Sequence, residues 1–360
     1  MKKVLTVLGT RPELIKLYPI LRLLKPKFHS EVCFTKQHDT LIAPLLASYD
    51  LQIDHTIELQ EASGSLASRA AAMLLQLEQI IVKTNPDFIL VQGDTLSTFI
   101  GAIVAFYAKV DLVHIEAGLR THCLQSPWPE ELHRVMIAQI AKYHFAPTTL
   151  AKKALMKEGV AEESIYVVGN TAIDAVRMAL QNLPNPTHSK YVVITMHRRE
   201  SFGNEQKVVC NALKVLAVAH PKIQFQFYLH HNPIARSPII EALQAVRNIE
   251  LLEPLVHQDF VKVMAGALFI VTDSGGIQEE AAYIGKPVLV IRHKTERMEG
   301  ITAGGAILVD LDQSKLVDVA TKLLTDHQFL QRKSVRHTAF GDGFAAERIT
   351  KVLASHYVYS

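Results

Sequence analysis

Short runs of consecutive apolar residues alternate along the chain with longer segments of helical periodicity, and each run ends in a polar or glycine-containing turn. Residues 4–8 lead into Gly9-Thr10-Arg11-Pro12-Glu13 and a helix reaching residue 24. Residues 88–91 lead into Gln92-Gly93-Asp94-Thr95 and a helix, and residues 112–115 into Glu116-Ala117-Gly118-Leu119-Arg120. Unbroken apolar runs suit strands covered on both faces, and their alternation with helices predicts a parallel sheet. Pro12 suits a first helical turn, where its missing N–H costs nothing, and Glu13 complements the positive helix terminus.

Residues 183–190 break the pattern with two prolines and no apolar periodicity, as a segment between domains does. The alternation then restarts. Residues 191–195 run into Met196-His197-Arg198-Arg199-Glu200, residues 224–229 into His230-His231-Asn232-Pro233, residues 268–272 into Asp273-Ser274-Gly275-Gly276, and residues 288–291 into a charged loop. The prediction is an α/β fold of two Rossmann-like, doubly wound domains. A first domain at 1–182 carries several carboxylates, 183–190 is a linker, 191–344 is a second domain, and 345–360 holds a terminal helix. The carboxyl ends of two such sheets are expected to face a shared cleft, which makes the chemistry interdomain.

At 360 residues with 49% hydrophobic content, the chain is long enough to fill two cores. Its net charge is only +3 and no five like charges run together, which gives a nucleic-acid surface little support. The three cysteines, Cys33, Cys123 and Cys210, are far apart and form no C-x-x-C, so neither a disulfide framework nor a zinc cluster is expected. The apolar stretch at 4–8 is too short for a signal segment or a membrane span. These features point to a soluble cytoplasmic protein with no membrane partner.

The turn from Asp273 to Glu280 follows a strand and opens a helix, presenting backbone N–H groups suited to a phosphate, although a plain tight turn has the same pattern. Glu280, about one helical turn beyond Gly276, is placed to accept both hydroxyls of a ribose or to face solvent. Neither G-x-G-x-x-G behind the first strand nor a P-loop is present. Asp94, Glu116 and Glu130 lie at or near the ends of neighbouring elements, a distribution that offers several acid/base groups to one substrate. Each also has a structural reading: Asp94 capping the helix after Thr95, Glu116 bonding loop amides, Glu130 on a helix first turn. Arg11, Lys16, His197 and Arg297 are candidate anion partners or ordinary surface charges. His230-His231 fits no metal-binding pattern, since neighbours on a strand point to opposite faces.

Gly9 to Glu13, Gly93-Asp94-Thr95, His114 to Thr121, Ser126-Pro127-Trp128-Pro129-Glu130-Glu131, Gly169-Asn170-Thr171, His197 to Ser201, the stretch from Thr272 to Glu280 and Gly341-Asp342-Gly343 occur in one order. Together they resemble the non-hydrolysing UDP-N-acetylglucosamine 2-epimerases over nearly the whole chain. The resemblance implies a glycosyltransferase-B type fold, a helix near 345–354 returning to the first domain, and a homodimer. It also implies interconversion of UDP-N-acetylglucosamine and UDP-N-acetylmannosamine without NAD or metal, by elimination of UDP to 2-acetamidoglucal and re-addition. On this resemblance Asp94, Glu116 and Glu130 are the acid/base set and His197 serves departing UDP. Arg11, Lys16 and Arg297 bind substrate, Ser274, Gly275 and Gly276 the phosphates, Glu280 the ribose and Phe260 the uracil, with Leu255 replacing a common polar residue nearby.

Two departures from the family pattern stand out. Gln92 replaces the usual His before Gly-Asp, which is expected to disturb Asp94, and Met298 replaces a Pro, which is expected to loosen the loop carrying Arg297. Many bacterial members are activated by UDP-N-acetylglucosamine at a second site, for which Gln37, His38, Arg198 and His230 persist. Asp39-Thr40-Leu41 and the residues near Ala72 depart from that pattern, so weakened effector binding is expected. The alternatives are a 2-epimerase of a related UDP-sugar of the diacetamido uronic acid type, a glycosyltransferase on the same fold, and a non-catalytic UDP-sugar sensor.

Overall fold

The computed structural model describes residues 1–37, 42–59, 65–181, 190–196, 203–293, 295 and 297–358. The chain forms two compact units, one of residues 1–175 with 341–360 and one of residues 176–340. The first unit contains β1 (Lys3–Leu8), α1 (Arg11–Leu24), β2 (His29–Phe34), α2 (Ala43–Tyr49), β3 (His55–Thr56), α3 (Leu66–Thr84) and β4 (Phe88–Gln92). It continues through α4 (Leu96–Ala108), β5 (Asp111–Ile115), α5 (Glu130–Ile140), β6 (Tyr143–Ala146), α6 (Thr149–Lys157), β7 (Ile165–Val167) and the first half of α7 (Thr171–Leu180). The division at 175 falls inside α7, ahead of the proline-containing stretch, most of which (182–189) lies outside the described residues.

The second unit contains β8 (Tyr191–Thr195), α8 (Asn204–Ala219), β9 (Gln224–Tyr228), α9 (Pro233–Leu243), β10 (Ile249–Leu252), α10 (His257–Gly266) and β11 (Ile270–Thr272). After these come α11 (Gly275–Ile284), β12 (Val288–Val290), α12 (Met298–Thr302), β13 (Ala306–Leu308), α13 (Gln313–Thr325) and α14 (His327–Lys333). A final helix, α15 (Ala345–Tyr357), belongs to the first unit.

Among the described residues the first sheet has seven strands in the order β3-β2-β1-β4-β5-β6-β7, and the second has six in the order β10-β9-β8-β11-β12-β13. Neighbours pair in parallel throughout. The strand order reverses between β1 and β4 in one sheet and between β8 and β11 in the other, the places where crevices open in doubly wound sheets. Successive residues of one strand feed opposite cores. Val4 and Leu8 join Phe88 and Leu90 on one face, while Leu5 and Val7 join Ile89 and Val91 on the other. Strands covered on both faces are therefore apolar at most positions, with buried polar exceptions such as Thr6 of β1 and His114 of β5.

The α15 helix closes the first of these cores. Ala345, Ala346, Ile349 and Leu353 are buried among Leu14, Leu17 and Ile20 of α1 and Phe88 of β4. Its first turn lacks a side-chain cap of its own. Asp174 of α7 supplies one, accepting from Ala345 N at 3.2 Å and Ala346 N at 2.8 Å. At the other end Tyr357 stacks on Phe88 with centroids 4.4 Å apart and donates to Asp111 Oδ2 at 2.7 Å. No described helix is long and apolar enough to cross a membrane.

Leu353 has no solvent exposure. Truncation to alanine is expected to cost the fold about 2–5 kcal/mol, the range for a core leucine, as measured by chemical denaturation of the first unit's transition.

Candidate functional site

In the first unit the polar strand ends meet where β1, β4 and β5 finish. Gly9 allows the chain to leave β1 close to α4, because a Cβ there would collide with Ser97 Oγ and Thr35 Oγ1. Glu13 turns back into this corner and is almost completely buried. Its Oε2 accepts from Gly9 N at 3.0 Å, and its Oε1 accepts from Thr95 Oγ1 at 2.8 Å and Thr98 Oγ1 at 3.1 Å. Burial raises its pKa, against the opposing pull of hydrogen bonds from Thr10, Thr95, Gly9 and Thr98. Glu13 is thus more than a first-turn acid, since it ties the turn after β1 to the turn after β4.

Glu116 follows β5 in a left-handed backbone conformation at φ 63°, a sparsely populated state for a residue with a side chain. Its Oε2 accepts from Lys16 Nζ at 2.5 Å and Gln92 Nε2 at 2.7 Å. The pairing of β4 with β5, which sets Gln92 opposite Ile115, produces this contact. Gln92 therefore bears directly on Glu116. Lys16 is likewise committed to a carboxylate in this structure.

Asp94 does not cap the following helix. Thr95 does so, accepting from Thr98 N at 3.2 Å, while Asp94 Oδ2 takes Arg134 Nε at 2.7 Å and Nη2 at 2.6 Å. Arg134 also donates through Nη1 to Glu131 Oε2 at 3.1 Å. Glu131 in turn accepts from Thr121 N and His122 N at 2.9 and 2.8 Å, fastening the segment between β5 and α5. Glu130 is half-buried at the first position of α5, and its carboxylate has no hydrogen-bond partner among the described residues. Arg134 therefore joins Asp94 to the helix that starts with Glu130, bringing two of the three candidate carboxylates into one neighbourhood. Sequence reading did not single out Arg134, although its place four residues after Glu130 puts both on one side of a helix.

Two imidazoles hold the backbone at Asp94. His133 Nδ1 donates to Asp94 O at 2.8 Å and its ring stacks on Phe99, while His114 Nε2 donates to Gly93 O at 2.7 Å. His114 is buried and burial pushes its pKa down to about 3, so the ring stays neutral with its proton on Nε2. Its Nδ1 has no partner among the described residues.

Arg11 is half-buried at the start of α1, and burial lowers its pKa. Gln37 Oε1 accepts from Ser97 N at 3.2 Å and Ser97 Oγ at 2.8 Å. His38, His197 and Arg198 lie outside the described residues.

In the second unit the strand β11 ends at a tight turn into α11. Ser274 N donates to Thr272 Oγ1 at 3.0 Å, and Gly275 and Gly276 open the helix. A Cβ on Gly275 would lie 2.9 Å from Arg297 Cζ, whereas one on Gly276 would meet nothing within 4 Å. Glycine at 275 thus lets the guanidinium lie against the turn. Arg297 is held there by Glu279, whose Oε1 accepts from its Nε at 2.9 Å. Met298 starts α12 and is largely exposed. Glu280 is nearly buried, with Oε1 3.0 Å from His257 Nε2. Phe260 is half-buried and meets Tyr228 edge to face at 5.2 Å. His230 Nδ1 accepts from Asn232 N at 3.0 Å, a contact that shapes the turn into α9. Among the described residues no three His, Cys, Asp or Glu side chains are grouped to hold a metal ion.

Two parallel sheets, each with polar residues gathered at the carboxyl ends of its strands, define an α/β protein with ligand-type turns at its switch points. Known proteins make that class more specific. The family model for UDP-N-acetylglucosamine 2-epimerase matches residues 23–354. The chain is 40% identical to the UDP-N-acetylglucosamine 2-epimerase of Yersinia pestis and 39% identical to that of Escherichia coli K12, with 99% of each chain covered. Among solved structures it resembles the UDP-GlcNAc 2-epimerase of Neisseria meningitidis bound to UDP-GlcNAc, with TM-score 0.90 and 36% identity over 98% of this chain and 100% of that one. The Methanocaldococcus jannaschii UDP-GlcNAc 2-epimerase in complex with UDP-GlcNAc and UDP matches with TM-score 0.83 and 32% identity, over 99% of this chain and 100% of that one. The chain belongs to the UDP-N-acetylglucosamine 2-epimerase family.

His114 gives this corner a pH signature. A ring held neutral when folded but free to take a proton when unfolded makes the unfolded state bind more protons, so stability is full above about pH 6.5 and falls toward about pH 3. His144, lowered mainly by burial, adds with the same sign. In His114→Gln, whose amide still donates to Gly93 O, denaturation series between pH 7 and 4 should show a shallower loss than the parent.

Proposed function

We propose that this chain interconverts UDP-N-acetylglucosamine and UDP-N-acetylmannosamine by reversible inversion at C2. Membership of the family supports the reaction. The observation that carries the reading to named residues is the corner at the ends of β4 and β5, where Glu116 and Asp94 each face a cationic donor and Glu130 stands on the helix that grips Asp94.

The C2 proton of the sugar is not acidic while the anomeric C1–O bond is intact. Breaking that bond sends its electron pair out with UDP and leaves positive charge at C1, shared with the ring oxygen. A carboxylate then removes the adjacent C2 proton, the C2–H pair becomes the C1–C2 double bond, and 2-acetamidoglucal forms. Return of a proton to the opposite face of C2 and of UDP to C1 completes the inversion. Asp94, Glu116 and Glu130 form the acid/base set, and His197 serves departing UDP. The N–H groups at Ser274 to Gly276 offset the diphosphate charge that grows as the bond breaks, and Arg11, Lys16 and Arg297 are substrate-binding residues in the same reading. Glu280 takes the ribose and Phe260 the uracil. The same family resemblance supports a homodimer, for which light scattering should give about twice the 40.1 kDa chain mass.

Incubation with UDP-N-acetylglucosamine alone in D2O is expected to yield the manno isomer with deuterium at C2, followed by proton NMR. No isomer with UDP still bound would overturn the reading and favour another UDP-sugar or a sensor. Asp94→Asn, Glu116→Gln and Glu130→Gln should each lower turnover by about 10²–10⁴ while changing UDP affinity little, because the neutral isosteres keep shape and lose proton transfer. Loss of UDP affinity in all three would make them structural.

A further inference from the structure

The contact between α10 and α11 has no part in the chemistry above, yet it reaches the residue assigned to the ribose. His257 is the first residue of α10, and its side chain retains 8% of its exposure, against 11% for Glu280. Their separation is 3.0 Å, from Nε2 to Oε1. A carboxylate oxygen only accepts, so the imidazole carries its hydrogen on Nε2 and donates. That bond occupies one direction of Oε1, and among the described residues Oε2 takes no donor. Three residues along the same helix, hence on the same side, Phe260 is set by its edge-to-face contact with Tyr228 of β9. One short helix thus holds the candidate base-stacking ring and the partner of the candidate ribose carboxylate.

We propose that His257 is a positioning residue that fixes the Glu280 carboxylate for the cis-diol of a nucleotide ribose, a proposal that rests on the nucleotide-binding reading of Glu280. An unrestrained glutamate spreads over several rotamers and loses that freedom on gripping a ligand. Here the imidazole imposes the order before a ligand arrives, so affinity for the diol is gained by preorganisation. A site built to hydrogen-bond a hydroxyl rejects an analogue that lacks it. Discrimination between UDP and 2′-deoxy-UDP is therefore the property that His257 controls.

The test is calorimetric titration of the full chain with UDP and with 2′-deoxy-UDP. The parent should prefer UDP by about tenfold or more, as a hydrogen bond to a charged group implies. His257→Leu, which keeps volume but removes the donor, and His257→Ala should compress that preference to within about threefold. His257→Gln, whose amide nitrogen reaches about as far as Nε2, should restore it. Full discrimination in a folded Leu or Ala variant overturns the positioning role and leaves the nucleotide reading intact. Parent protein that binds UDP but does not distinguish the two ligands overturns the ribose role of Glu280, and parent protein that binds neither overturns the nucleotide reading itself.

Discussion

In a parallel sheet every strand runs the same way, so every turn that follows a strand emerges on one edge. That constraint concentrates many polar residues of each unit here, because the central strands are largely apolar on both faces. Residues distant in sequence consequently become neighbours: Lys16 and Glu116 are a hundred positions apart and form an ion pair. The same geometry creates an electrostatic difficulty, since carboxylates delivered to one edge repel one another. The first unit answers it by giving Glu116 a lysine and an amide, and Asp94 an arginine shared with Glu131.

Backbone rigidity at this edge comes from uncharged or shielded groups rather than from surface ion pairs. Glu13 bridges two turns from a buried position, and His114 and His133 hold consecutive carbonyl oxygens at Gly93 and Asp94. Such contacts are strong where water is excluded. At Glu116 the donor from β4 is an amide, which cannot change its charge with pH as an imidazole does.

Much of this architecture was legible in the sequence. Runs such as 88–91 and 191–195 read directly as strands because covered strands have no polar face to obscure them. The strand β2, next to the edge, was not legible, since His29 is exposed, Ser30 and Glu31 are half-buried, and all three interrupt the apolar pattern. Candidate site residues were visible through their place at strand ends and through family motifs. Their partners were not. Nothing local links Arg134 to Asp94, Gln92 to Glu116 across a strand pair, or His257 to Glu280 across two helices, because each contact exists only once non-local elements are packed. For the same reason the hydrogen-bond partner of Gln92 is Glu116, a neighbour in space and not in sequence.

The docking of α15 bears on how the molecule comes to exist. Its apolar face completes the core formed by α1 and β4, yet the entire second unit lies between them in the chain. During synthesis every residue of the second unit's core is made before residues 345–357, while the first unit still lacks the helix that packs on Leu14, Leu17 and Phe88. Birth order and completion order are therefore reversed, with the unit that begins first on the ribosome sealed last, by a helix whose N-terminal cap, Asp174, has been waiting at the far end of the first unit's fold.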